Sequence, residues 1–235
     1  VILMHQKRLS APKTYKVPRK IFKWVVKPSP GPHDGSAVPL LIVVRDYLKL
    51  ADSAREARRI IASGEILVDG IPRKDYKFPI GLFDVVKIPK LNKSYRIVFD
   101  EKGRFVPIEV EDDNLKLYKI VNKTTIRGGR IQLNLFDGTN IIGDNSYKTK
   151  DSILLKIPDR VVVDRLPFEV GALVMITGGT HAGEIGKIKE YKVVRSSSPN
   201  LVTVDVGGRD ITTIVDYVFV VGKKEDKKPV IDLGV

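Results

Sequence analysis

No cysteine occurs among the 235 residues. That excludes a disulfide framework, a thiolate metal site and a thiol nucleophile. Histidine is almost as scarce. His5, His33 and His181 stand far apart and in no paired ligand spacing, so no metal site and no cofactor are expected. No apolar run approaches the ~18 residues that cross a bilayer. The opening Val1-Ile2-Leu3-Met4 is too short for a signal-peptide core and runs straight into basic residues. A membrane partner is therefore not expected, and a cytoplasmic location is.

Acid is missing where base is plentiful. Residues 1–36 hold eight lysines and arginines against the single Asp34, which is over half of the chain's formal net charge of +13. Residues 37–92 carry ten against seven, 93–167 fourteen against eleven, and 168–235 nine against nine. Such a balance points to a polyanion, nucleic acid above all. In the first segment Lys7, Arg8, Lys13, Lys16, Arg19, Lys20 and Lys23 alternate with Tyr15, Phe22 and Trp24, and "KPSPGPHDG" closes it with turn formers. The pattern predicts an extended arm with few apolar anchors, neutralising phosphates and stacking rings on bases. A solvated tail whose rings pack on the body is the alternative.

From Pro39 the pattern turns helical. "VPLLIVVRDYLKL" predicts a helix with Arg45 and Lys49 one turn apart, and "DSAREARRIIASG" predicts a second one. There Ser53 and Glu56 make a capping box and Gly64 a C-terminal stop. At 100° per residue Ala54, Ala57, Ile60 and Ile61 share one face, while Arg55, Arg58 and Arg59 project from another. Short strands with an Asp69-Gly70 turn follow, carrying Arg73, Lys74 and Lys77. Helix, helix and hairpin in this order, with an arginine face on the second helix, resemble the S-four-type (alpha-L) RNA-binding module.

Residues 93–167 read mainly as strand, punctuated at Lys102-Gly103, Gly128-Gly129 and Asp137-Gly138. The acidic trio Glu111-Asp112-Asp113 lacks the glycine and distant glutamate of a calcium loop and is expected as a solvated connection. The run "ITGGTHAGEIGKIKEY" invites a phosphate-binding reading that its spacing refuses. Five residues before Gly186 stands His181 instead of glycine, and Ile188 instead of Ser or Thr follows Lys187. Gly178, Gly179, Gly183 and Gly186 instead punctuate "ALVMI" and "IGKIKEY". With "LVTVDV", "DITTIV" and "YVFVV" these make about five strands, enough for a small barrel. Their roles are expected to be positive φ and tight packing. The spacing resembles the KOW motif, with Ala182 where a lysine often stands. His181 and Lys187 are kept as candidate RNA contacts, and either RNA or protein remains open as the partner of this near-neutral region.

"KRLSAPKTY", "GPH", "PLLIVVRDYLK", "IVNKTTIRGGRIQLNLFDG", "MITGGTHAGEIGKI" and "VFVVGK" occur in an order similar to the archaeal and eukaryotic small-subunit ribosomal proteins of the S-four-e family. The resemblance covers roughly residues 5–235. It implies an α+β, multi-domain and mostly β chain in four parts. These are a basic N-terminal extension (1–36), an S-four-type domain (37–92), a β-rich central domain (93–167), and an SH3-like KOW barrel with C-terminal tail (168–235). It further implies a structural constituent that binds ribosomal RNA of the small subunit, with ribosomal proteins as neighbours. Off the ribosome a monomer is expected. A non-ribosomal adaptor is the competing class. An enzyme is not expected, because no acid, base, nucleophile and metal converge. The closest approach is "VDRLPF", where Asp164 precedes Arg165 in the reverse of a pseudouridine synthase order, so Asp164 is read as a surface salt-bridge partner.

Overall fold

A computed structural model describes residues 6–33, 35 and 37–234. The expectations attached to Val1–Met4, His5 and Asp34 fall outside the described residues. The chain divides into two compact units, residues 1–98 with 104–114, and residues 99–103 with 115–235.

Unit 1 is organised around the helix Ala54–Ala62. Its start is built as the capping pattern requires. The Glu56 amide donates to Ser53 Oγ at 3.2 Å, and the Glu56 carboxylate accepts from the Asp52 amide at 3.1 Å. Ala57 and Ile61 are fully buried, Ala54 and Ile60 partly, and all three arginines are exposed. The helix stops at Gly64, whose φ of +78° closes the turn. The preceding segment departs from expectation. Leu40–Ile42 is α-helical, but Val43–Tyr47 is a wider turn in which the Leu48 amide bonds to Val43 O, five residues back. Lys49 then leaves the helix at φ +53°, so it does not share a turn with Arg45.

Five strands cover this core: β1 (Leu67–Val68), β2 (Ile71–Pro72), β3 (Val85–Ile88), β4 (Lys93–Phe99) and β5 (Phe105–Glu109), in the sheet order β2-β1-β3-β4-β5. Asp69 and Gly70 both have positive φ, as a two-residue hairpin turn demands. The acidic trio does more than connect. Arg96, fully buried, donates to Asp112 O at 2.8 Å, and Asp113 accepts from Ser94 Oγ at 2.9 Å and pairs with Lys87.

Unit 2 begins with β6 (Leu115–Thr125), β7 (Ile131–Leu135), β8 (Asn140–Gly143), β9 (Ser152–Lys156) and β10 (Val161–Leu166), all antiparallel in the order β8-β7-β6-β9-β10. Tyr118, Ile120, Leu133, Leu135, Ile153 and Leu155 form its core. A second antiparallel sheet follows: β11 (Leu173–Ile176), β12 (Ile185–Lys192), β13 (Leu201–Val206), β14 (Arg209–Ile214) and β15 (Val218–Gly222), in the order β14-β13-β12-β11-β15. These are the five strands expected. Register shifts at Leu173/Val174 and Ile188/Glu190 increase the local twist. Asp164 pairs with Lys223 at 2.7 Å at the surface, and that ammonium holds its carboxyl below the usual range.

Candidate RNA-binding surface

The basic arm is anchored to unit 1. Tyr15 is buried and donates to Ala37 O at 2.8 Å; burial pushes its hydroxyl pKa strongly upward. Ala11 and Val17 are buried with it, the Lys16 amide donates to Tyr47 OH at 3.1 Å, and the Phe105 amide to Thr14 O at 2.9 Å. Tyr15 is therefore an anchor and has no face free for a base. His33, expected as a turn residue, is buried with its Nε2 2.8 Å from Asp84 Oδ1, and Asp84 also accepts the Gly81 amide. A Cβ on Gly81 would lie 2.2 Å from the His33 ring, so that glycine is what lets the ring in.

The arm's cations divide into two kinds. Arg19 donates to Ala11 O at 2.8 Å and Pro12 O at 2.9 Å, stapling the loop shut. Arg8 is buried, with its guanidinium 5.3 Å from the centre of the Phe22 ring. Lys7, Lys13, Lys16, Lys20 and Lys23 are exposed. Beside them Phe22 is 67% and Trp24 49% exposed, with Lys23 Nζ 5.1 Å from the Trp24 ring centre. Of these, Lys7, Lys20, Phe22 and Lys23 line an open groove of about 630 Å³ together with Leu9, Arg19 and Ile21.

The module after the arm adds a second cationic face. Arg55, Arg58 and Arg59 are exposed on the Ala54–Ala62 helix. Arg58 lies 4.4 Å from the Tyr76 ring centre and Arg73 4.3 Å from that of Phe78, so flat guanidinium groups are held against rings without losing their charge. Lys77 also lies over Tyr76, at 5.7 Å, and the stem of Lys74 covers Gly64. Arg45 differs. Its guanidinium forks onto its neighbour Asp46 at 3.0 and 2.7 Å, which cancels most of its field. Lys49 is exposed.

The unit 2 candidates are differently placed. His181 Nδ1 lies 3.0 Å from Glu184 Oε1, and Lys187 is exposed with its ammonium 3.4 Å from Lys224 O. The four glycines divide by role. Gly179 and Gly183 have positive φ, whereas a Cβ on Gly178 would meet Tyr217 at 2.6 Å and one on Gly186 would meet Asp205 O at 2.3 Å. No group of three or more potential metal ligands occurs among the described residues, and none of their helices is long and apolar enough to cross a membrane.

Exposed arginines on a capped helix, guanidinium groups stacked on neighbouring rings, and strand-rich modules after them have the pattern of a multi-module RNA-binding protein. Comparison with known proteins carries this further. Models of the RS4NT (NUC023) domain, the S4 domain, the Ribosomal family S4e and the KOW motif match residues 3–35, 38–86, 91–162 and 170–205. The chain is 76% identical over its full length to small ribosomal subunit protein eS4 of Archaeoglobus fulgidus, itself covered completely. It is 53% identical to eS4 of Methanothermobacter thermautotrophicus over 94% of this chain and 93% of that one. The crystal structure of 30S ribosomal protein S4e from Thermoplasma acidophilum superposes with a TM-score of 0.70 at 34% identity, over 82% of this chain and 98% of that one. The chain belongs to the S4e family of ribosomal proteins.

Proposed function

We propose that this protein is a structural constituent of the small ribosomal subunit in the cytoplasm, binding ribosomal RNA through its arm and the arginine face of its S4 module. One observation carries the reading. Within unit 1, Lys7, Lys13, Lys16, Lys20 and Lys23 and the three helix arginines all face solvent, while Phe22 and Trp24 lie exposed beside the arm lysines and Tyr76 lies directly beneath the Arg58 guanidinium. Phosphates meet the charges and unpaired bases meet Phe22 and Trp24. Residues 1–36, 37–92, 93–167 and 168–235 act as successive modules, and off the ribosome the chain is a monomer. Neighbouring ribosomal proteins complete its contacts.

Gradient fractionation separates this reading from that of a reversible adaptor. The protein is expected to stay with small subunits through a high-salt wash and to cross-link to their RNA through arm peptides. Release by the wash, with no RNA attached, would count against the proposal.

A further inference from the structure

Unit 2 contains a pocket of about 400 Å³ that none of the matched motifs explains. Three lysines, Lys123, Lys148 and Lys150, one acid, Asp151, and two rings, Phe168 and Tyr191, line it. That volume falls within the range of about 300–1,000 Å³ typical of ligand sites. Asp151 does not balance the lysines, because it is already satisfied. It is buried, and its carboxylate accepts from Arg165 at 2.9 and 2.7 Å, from the Phe168 amide at 3.0 Å and from the Lys148 amide at 3.1 Å.

Lys123 donates only to neutral oxygens, Tyr147 O at 2.6 Å and Asn145 Oδ1 and O at 3.2 and 3.3 Å, so its position is fixed and its charge persists. Lys148 is exposed. Lys150 has a φ of +77°, a region a lysine enters at a cost and keeps only where its surroundings hold it. Here the Lys150 amide is held by Ile120 O at 2.8 Å, and its ammonium lies 3.2 Å from Tyr191 OH and 5.2 Å from the Tyr191 ring centre. Tyr191 is fixed in turn, accepting from Asn200 Nδ2 at 2.9 Å and packing edge-on against Phe168 at 5.5 Å.

Uncompensated ammonium groups beside a rigid aromatic pair suit a phosphate joined to a flat ring. We propose that this pocket takes one nucleotide of unpaired RNA, its phosphate on Lys148 and Lys150 and its base against Phe168 and Tyr191. The proposal rests on the RNA-binding reading above and adds to it a contact in the strand-rich unit. Duplex RNA is disfavoured here, since its bases are stacked away from protein rings.

The test uses the full chain and a single-stranded oligouridylate carrying photoreactive 4-thiouridine. The variant K148Q/K150N removes two charges, and asparagine tolerates the left-handed backbone at position 150. With binding measured across a salt series, its log–log slope is expected to fall by about 0.7 units relative to wild type, one single-strand phosphate contact. Cross-linked peptides of unaltered protein are expected to include Phe168 or Tyr191, a result that does not depend on how the variant folds. Both results are required, and the loss of either overturns the pocket. If R55A/R58A/R59A loses slope while K148Q/K150N does not, the pocket fails and the RNA reading stands. If wild type binds no RNA, both fail. Competition by free uridine monophosphate equal to that of the oligomer would make this a small-ligand site and would also overturn the proposal.

Discussion

The two compact units put the same residue types to different uses. In unit 1 most of the arm's lysines and the helix arginines stand in solvent, whereas Arg8 and Arg96 are buried, Arg19 is tied to loop carbonyls, and Arg45 and Lys87 pair with Asp46 and Asp113. In unit 2 much of the positive charge is structural. Lys116 lies buried 3.8 Å from Asp137, Lys189 pairs with Asp210 and Lys223 with Asp164. Lys119 is buried and donates to Val218 O at 2.8 Å, Asp216 O at 2.9 Å and Val215 O at 3.4 Å. One ammonium thus ties β6 to the turn that launches β15. A lysine's function depends on which acceptors surround it, and a count of charges does not contain that information.

The chain's only tryptophan, Trp24, reports on unit 1 alone, which makes the contrast measurable against circular dichroism of the whole. The largest effect is expected from Ala57→Arg. Ala57 is fully buried beneath the helix, and an unpaired guanidinium there costs about 3–5 kcal/mol. Trp24 fluorescence should lose its cooperative transition while the strand signal of unit 2 persists. Loss of both together would mean that the units do not fold separately.

Gly183→Val is the mirror experiment. Gly183 has a φ of +98°, and a Cβ there would lie 2.1 Å from the Asp100 carbonyl oxygen. Strain and backbone clash together should cost about 3 kcal/mol or more. The dichroism melt should shift downward and the Trp24 melt should not. A substitution without effect on either would show that the Gly183 loop yields freely.

Lys119→Met is expected to cost about 2 kcal/mol at neutral pH, because three buried carbonyls lose their donor. Its pH dependence is more telling. Burial pushes the Lys119 ammonium down to about 8, against about 10.4 for an unfolded lysine. Below pH 8 the group is charged in both states and contributes no slope. Between about 8 and 10.4 the unfolded chain binds more protons, so this group makes wild type more stable as pH rises, by up to about 3 kcal/mol. The stability gap between wild type and variant should therefore widen over that window in denaturant titrations. A constant gap would mean that Lys119 titrates normally.

The smallest change in stability should come from R55A/R58A/R59A. Each exposed arginine contributes within about 0.5 kcal/mol, with up to about 1 kcal/mol for Arg58 on its ring. RNA binding should nonetheless weaken strongly, its salt slope falling by roughly 2–3 units for three phosphate contacts. Normal melting with an unchanged slope would reduce the arginine face to a solvated surface.

Local patterns were sufficient for much of the fold. Ser53 and Glu56 mark the start of the helix, Gly64 its end, and Asp69-Gly70 the hairpin, because each depends on residues within a few positions of one another. The five C-terminal strands were legible for the same reason, as was the failure of the glycine run to fit a phosphate loop. The wide turn at Val43–Tyr47 was not legible, since the apolar periodicity of "LLIVV" fits either helical register once every side chain is buried.

Composition and order determined where the excess positive charge lies, over half of it in the first 36 residues, and that the glycine run lacks the spacing of a phosphate loop. Only the tertiary structure decided which charges remain available. Arg8 and Lys20 carry the same charge in one arm, and Lys119 and Lys123 lie four residues apart in one strand. Burial, or an acceptor from a distant segment, sets what each does. Those partners arrive from far along the chain: Asp84 for His33, Val218 for Lys119, Tyr191 for Lys150. Desolvation and hydrogen bonding act through space, so the sequence names the charges while the folded chain assigns their chemistry.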